Sequence, residues 1–281
     1  ISIGTGLATG GVAGSVYLTA GRSNQANGAD VVISAGTTSS TGGGAVSITA
    51  GQGIGGSGGS LVFAAGIGTT KTGGFVDIRS GAGTAKSSGM ITIRTANADA
   101  TGVSGALVFS SGEAESGNSG DITIGSGPAT YGNGGFIRLL VGRSDSGSGG
   151  IVDIAAGRST GGVGGTATLV GGQGSTHGGT VTITAGQGVG GSGGALVMSA
   201  GIGTVKDGGY VDLRSGAGTA KSSGMVTVRS ANAMATGVSG ALVFSSGTTK
   251  AGASGDISIG TGLATGGVAG SVYLTAGRSN Q

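Results

Sequence analysis

The stretch AVSITAGQGIGGSGG, from Ala45 to Gly59, carries the pattern that decides the fold. Val46, Ile48 and Ala50 alternate with smaller or more polar neighbours, which is typical of a β-strand. A Gly-rich return begins at Gly51, and clustered glycines are typical of turns. The same pattern recurs every fifteen residues, which indicates the repeat of a solenoid. We number the positions of this repeat 1 to 15, from Ala45 to Gly59.

The repeat runs through all 281 residues and divides the chain into about nineteen repeats, some of them partial. Met90–Gly105 has sixteen residues and Thr166–Gly179 has fourteen. Two longer segments also recur. The segment 45–112 returns with few changes as 180–247, and 1–25 returns unchanged as 257–281. The second recurrence defines a super-repeat of 256 residues. Ile1 lies inside a repeat, so we expect the sequence to be an excerpt from a longer tandem array.

Aligning the repeats gives columns of similar residues. Positions 2 and 4 are almost always Val, Ile, Leu or Phe, position 6 is small, and position 7 is Gly in most repeats. Alternate residues of a strand share a face, so these columns are expected to point inward. The sequence therefore predicts an all-β fold: one continuous, flattened, single-chain β-solenoid over 1–281, with inward Val, Ile and Leu columns and a turn at the position 7 glycine.

Composition excludes several classes of protein. Gly accounts for 72 residues but not for every third one, and there is a single Pro, so the chain is not collagen. An apolar fraction of 36% with only 9% charged residues is unlike a disordered chain. The net charge of +3 is spread out, which disfavours a nucleic-acid partner, and no apolar run has the length of a membrane span. The absence of Cys excludes disulfides and thiolate metal sites.

Apparent catalytic motifs have structural explanations. Gly51, Gly53 and Gly56 match the dinucleotide pattern G-x-G-x-x-G, but no helix follows to face a pyrophosphate, so turn glycines are expected. Ser57 sits in G-x-S-x-G, yet His177, expected in an exposed turn, is the single His of the chain. The GGSGG turns lack the Asp of calcium-binding β-rolls. We expect no enzyme, no cofactor and no metal cage.

Charged side chains recur in columns at positions 5 and 12. This candidate basic ladder consists of Arg79, Arg94, Arg214, Arg229, Lys71, Lys86, Lys206 and Lys221. One interpretation is a solvated face on which Asp partners offset the charges. The other is a positive stripe that docks an acidic polysaccharide or a neighbouring fibre. Rows of Thr, as at Thr180, Thr182 and Thr184, raise the further alternative of an ice-binding face.

Aromatic residues stand at positions expected to face outward. They are Phe75, Phe136 and Tyr210 at position 1 and Tyr17 at position 3. Exposed apolar rows commonly mark a contact surface, so these four residues are a candidate lateral contact face between copies.

Repeats such as VSITAGQGIGGSGG and ITIGSGPATYGNGG resemble the Gly/Ser/Thr-rich tandem β-solenoid repeats of large secreted surface proteins of algae and related protists, and more loosely those of bacterial fibrous adhesins. The resemblance implies a structural component of an extracellular filament or cell-surface appendage, a rod whose copies associate end to end and laterally. The partner is then the chain itself, with polysaccharide as a second one. The alternative is an adhesin-type module with a glycan- or ice-binding face.

Overall fold

The computed structural model describes residues 1–99, 101–234 and 236–278. Within these ranges the chain forms no helix and no β-strand. The prediction of an all-β solenoid is therefore wrong for the part of the chain that the structure describes. The last three residues of the recurring segment 257–281 lie outside these ranges.

What the fifteen-residue period produces instead is a regular series of bends. Each complete fifteen-residue repeat bends at positions 10 to 12, as at 54–56 and again at 69–71. The sequence placed the turn earlier, at the glycine of position 7. That glycine has a different role, because it supplies the carbonyl that closes the loop around the bend.

Loop closure is a backbone hydrogen bond within one repeat. The N–H of Gly74 donates to the carbonyl oxygen of Gly66 at 2.9 Å, and Gly59 donates to Gly51 at 2.8 Å. Among the residues that the structure describes, ten repeats close in this way, with donor–acceptor distances from 2.8 to 3.1 Å. The fourteen-residue repeat keeps the bond, between Gly179 and Gly172. The bond therefore joins positions 15 and 7 and spans the whole Gly-rich return.

The small residue at position 6 lies against the glycine that ends the same repeat. A Cβ added to Gly74 would lie 3.3 Å from the Cβ of Ala65, and one added to Gly209 would lie 3.3 Å from the Cβ of Ala200. Ala50, Ala185 and Ala200 are accordingly among the few residues that are not fully exposed. Position 6 is small and position 15 is Gly because the two meet where the loop closes.

The predicted inward columns do not form a core. Ile48, Phe63 and Ile78 are 56%, 67% and 64% exposed, and no hydrophobic residue within the described ranges is buried. Alternation persists in weaker form, since Val76 is 56% exposed where Phe75 before it is 87% exposed. The cause lies in the backbone hydrogen bonds of the described residues, which close loops within repeats and do not join one repeat to the next. A strand needs a paired neighbour, and the repeats give each other none.

The chain divides into two parts, Ile1–Leu139 and Leu140–Gln281. The first part contains the segment 45–112 and the second contains its recurrence 180–247. The segment 180–247 of the second part therefore repeats the segment 45–112 of the first with a small number of substitutions.

Candidate functional site

In many repeats the residue at position 9 contacts the backbone of the bend directly. In six of the described repeats it is a Gly that faces two backbone carbonyl oxygens: Gly53, Gly68, Gly83, Gly188, Gly203 and Gly218. A Cβ on Gly68 would come within 3.0 Å of the carbonyl oxygens of Lys71 and Thr72. Weak Cα–H···O contacts of this kind recur where backbones approach closely. Only Gly leaves room for both oxygens here.

Other repeats carry Ser or Thr at position 9, and the hydroxyl then caps the bend. The Oγ of Ser159 accepts the N–H of Gly162 at 2.9 Å, and the Oγ of Ser144 accepts that of Gly147 at 3.0 Å. Ser23 does the same for Ala26 at 2.9 Å. Such hydroxyls satisfy a backbone donor in a tight turn. The sequence shows the restriction of position 9 to mostly Gly, Ala, Ser and Thr, which predicted a small residue facing the opposite wall of a solenoid, whereas in the structure position 9 organises the loop around the bend.

The two arginines that follow an Asp by two residues are held by that Asp. The Nε of Arg79 donates to both carboxylate oxygens of Asp77, at 2.9 and 2.8 Å, and Arg214 forms the corresponding ion pair with Asp212. Arg143 pairs with Asp145 in the same i, i+2 relation, at 2.6 Å. These arginines fit the interpretation of a solvated face with Asp partners.

Pairing with Arg79 lowers the pKa of the Asp77 carboxyl, because the guanidinium donates hydrogen bonds to its charged form. A lowered pKa means that the pair is intact at neutral pH and is lost as the pH falls through that pKa. We expect Arg79→Gln to raise the pKa of Asp77 toward its ordinary value, as measured by a carbon NMR titration of the carboxyl. Arg94→Gln is the control and is expected to leave the Asp77 titration in place. An unchanged midpoint in Arg79→Gln would show that the pair does not form in solution.

The lysines of the candidate basic ladder share one place in the loop. Lys71, Lys86, Lys206 and Lys221 each stand at position 12, the last residue of the bend, and all four are exposed. No sheet holds neighbouring repeats in register within the described ranges, so the structure gives no stacking of Lys71 on Lys86 or of Arg79 on Arg94. The basic ladder stays a prediction, as does the ice-binding face.

The candidate lateral contact face is open to solvent. Phe75, Phe136, Tyr210 and Tyr17 are 87%, 84%, 87% and 86% exposed. The guanidinium carbon of Arg138 lies 5.4 Å from the ring centroid of Phe136, a cation–π contact that covers one side of that ring. Contact between these residues and a neighbouring copy stays a prediction.

Two pockets stand at the same place in the two parts of the chain. The first, of about 360 Å³, is lined by Arg94, Thr95, Ala96 and Asn97. The second, of about 380 Å³, is lined by Arg229, Ser230, Ala231 and Asn232. The first pocket belongs to the sixteen-residue repeat Met90–Gly105, and the second belongs to its recurrence Met225–Gly240, which also has sixteen residues. The sequence singled out both arginines and both longer repeats, but it did not connect them.

Within the described ranges, no three His, Asp or Glu residues come together as a metal site requires. No helix there has the length and apolar character needed to cross a membrane. No family model, no curated protein and no solved structure matches the chain. The candidate site is therefore inferred from the geometry and chemistry of this chain's residues alone.

Proposed function

We propose that this chain is a structural tandem-repeat protein of an extracellular filament or cell-surface appendage, and that its copies associate through their exposed apolar side chains. The observation that supports association is the exposed surface. The chain exposes 28020 Å², whereas a compact protein of 25.7 kDa is expected to expose about 10,000 Å². Apolar side chains contribute much of this surface, and their removal from water is favourable.

The size of the excess favours extended assembly over a discrete dimer. A standard protein–protein interface buries roughly 1,600 Å² in total, which is a small part of the difference. Many contacts along the chain are therefore needed to cover its apolar residues. A tandem repeat supplies such contacts, since each repeat offers the next copy a similar surface.

Four segments are best suited to form these contacts. In each, Leu, Val and then Phe or Met occupy positions 2 to 4, with no charge and no Gly at positions 1 to 6: Leu61–Phe63, Leu107–Phe109, Leu196–Met198 and Leu242–Phe244. We call them the LVF segments. Their central valines are between 75% and 79% exposed. Short apolar segments without charge, Gly or Pro associate readily with copies of themselves.

The extracellular placement rests on composition. The Gly/Ser/Thr-rich repeats resemble those of secreted surface proteins in composition and period, and a chain without Cys is indifferent to the redox state of its surroundings. The second candidate function, binding of an acidic polysaccharide, draws support from the two arginine pockets.

The proposal is tested on the purified chain by sedimentation velocity over a concentration series, with negative-stain electron microscopy of the same samples. We expect species far larger than 25.7 kDa at micromolar concentration and filaments on the grid. A monodisperse monomer at every concentration would contradict the proposal.

A further inference from the structure

We propose that the pockets at Arg94–Asn97 and Arg229–Asn232 are two equivalent binding sites for the anionic groups, sulfate or carboxylate, of an acidic polysaccharide. The inference goes beyond self-association and does not depend on it. It stands on the pockets, on the pairing of the arginines, and on the recurrence of both features 135 residues apart.

The arginines of the two pockets differ from the other arginines of position 5. Arg79 and Arg214 are each neutralised by an Asp two residues earlier. At the corresponding place before Arg94 and Arg229 the chain has Thr92 and Thr227, which carry no charge. Within the described ranges, ion pairs form at Arg79, Arg143 and Arg214 and not at the two pocket arginines. Their guanidinium groups are thus available to an external anion.

The residues beside each arginine add polar groups of the right kind. Guanidinium supplies five N–H donors in a planar fork that matches carboxylate or sulfate oxygens. Thr95 or Ser230 adds a hydroxyl, and Asn97 or Asn232 adds an amide. The hydroxyl and amide can also bond to sugar hydroxyls. No acidic residue lines either pocket.

Both pockets lie in repeats of sixteen residues. In nine of the fifteen-residue repeats that the structure describes, the closing hydrogen bond draws the return against position 7. In the sixteen-residue repeats position 7 is Ala96 or Ala231, and one further residue lies in the return. In the first of them the backbone bond runs instead from the N–H of Gly102 to the carbonyl oxygen of Asp99, at 2.9 Å. This bond does not involve Ala96 at position 7, and the pocket residues Arg94–Asn97 precede the bonded segment in the chain.

A polysaccharide fits better than a nucleic acid because the positive charge is sparse. Nucleic-acid binding draws most of its affinity from clustered Lys and Arg that release counterions. The chain has a net charge of +3 over 281 residues, and each pocket contains one arginine. A polymer with spaced anionic groups and many hydroxyls suits one charge flanked by a hydroxyl and an amide.

The test compares two double variants of the full chain that change the net charge equally. Arg94→Gln/Arg229→Gln removes the pocket arginines, whereas Arg79→Gln/Arg214→Gln removes arginines that Asp already neutralises. Each immobilised protein is titrated at about 0.15 M salt, where long-range attraction is screened, with dextran sulfate, alginate, neutral dextran and single-stranded DNA. We expect the pocket variant to lose affinity for an anionic polysaccharide about fivefold or more, and the control variant to stay within about twofold of the parent chain.

Loss of binding to dextran sulfate alone identifies sulfate as the ligand group, and loss of binding to alginate alone identifies carboxylate. Equal loss in the two variants, no binding by the parent chain, or a preference for single-stranded DNA would each overturn the inference. Sedimentation of the same variants keeps this result separate from self-association, since the pocket variant is expected to assemble like the parent chain.

Discussion

Replacing Val62, Val108, Val197 and Val243 together by Lys is expected to abolish the association of copies. Each valine is the central residue of an LVF segment. A lysine at the centre of an apolar contact must either keep its ammonium group in water, which separates the surfaces, or lose its hydration, which costs several kcal/mol or more. With four contacts affected, we expect the concentration at which assembly begins to rise about 100-fold or more, as measured by sedimentation.

The control variant carries the same added charge at polar sites. Ser47, Thr123, Thr168 and Thr182 also stand at position 3, in repeats without an LVF segment. Their joint replacement by Lys raises the net charge as much as the valine substitutions do, so it reports general repulsion between copies. We expect its assembly concentration to change by about threefold or less. If both variants fail to assemble alike, charge and not the LVF segments governs association, and if neither fails, the contacts lie elsewhere.

The second large effect is expected at Gly68. Substitution by Ala would place a Cβ within 3.0 Å of the carbonyl oxygens of Lys71 and Thr72. Both are backbone atoms, so the clash cannot be relieved by turning a side chain. Overpacking of this kind costs about 1–3 kcal/mol, and the loop from Gly66 to Gly74 is expected to open to relieve it.

The rate of cleavage by trypsin measures the opening of the loop, because trypsin cleaves after lysine and Lys71 lies in the bend of that loop. We expect cleavage after Lys71, followed by mass spectrometry, to become about tenfold faster in Gly68→Ala. Lys206 occupies the same place in the second part of the chain and serves as an internal reference whose cleavage rate stays constant.

Gly66→Ala is the matched substitution within the same loop. A Cβ on Gly66 has nothing within 4 Å, and Ala keeps the carbonyl group that accepts the closing hydrogen bond. Cleavage after Lys71 is therefore expected to stay at the parent rate. Equal acceleration by both substitutions would mean that Gly serves only backbone flexibility in this loop, and that the two carbonyl contacts at Gly68 do not matter.

The loops show which features of the fold can be predicted from local sequence and which cannot. The fifteen-residue period recurs in the structure as one bend per complete fifteen-residue repeat, at positions 10 to 12 and not at position 7, where the sequence placed the turn. The period is kept because a bend and its closing bond involve residues of a single repeat, such as Gly51 and Gly59. The sheet was predicted from the alternation of Val46 and Ile48. Alternation records which residues are apolar, but strand pairing depends on where the neighbouring repeat lies, and no local pattern specifies that.

The candidate site also has one part that the sequence could predict, the arginines, and one part that it could not, the pockets. Arg94 and Arg229 were recognisable from their column, and the i−2 residues Asp77 and Thr92 already distinguished a paired arginine from an unpaired one. The pockets lie in the two sixteen-residue repeats, and their shape depends on the three-dimensional path of the chain at positions 5 to 8. The number of residues in a repeat does not specify the three-dimensional geometry of its loop.

Closing each loop inside its own repeat has a consequence for the evolution of the chain. Duplication or deletion of a whole repeat that has a closing bond adds or removes that one bond, and the closing bonds of the other repeats keep both donor and acceptor. The fourteen-residue repeat, which retains its bond between Gly179 and Gly172, shows that even the loss of one residue is absorbed locally. Genes for such chains can therefore lengthen or shorten by recombination between copies without requiring compensating changes elsewhere.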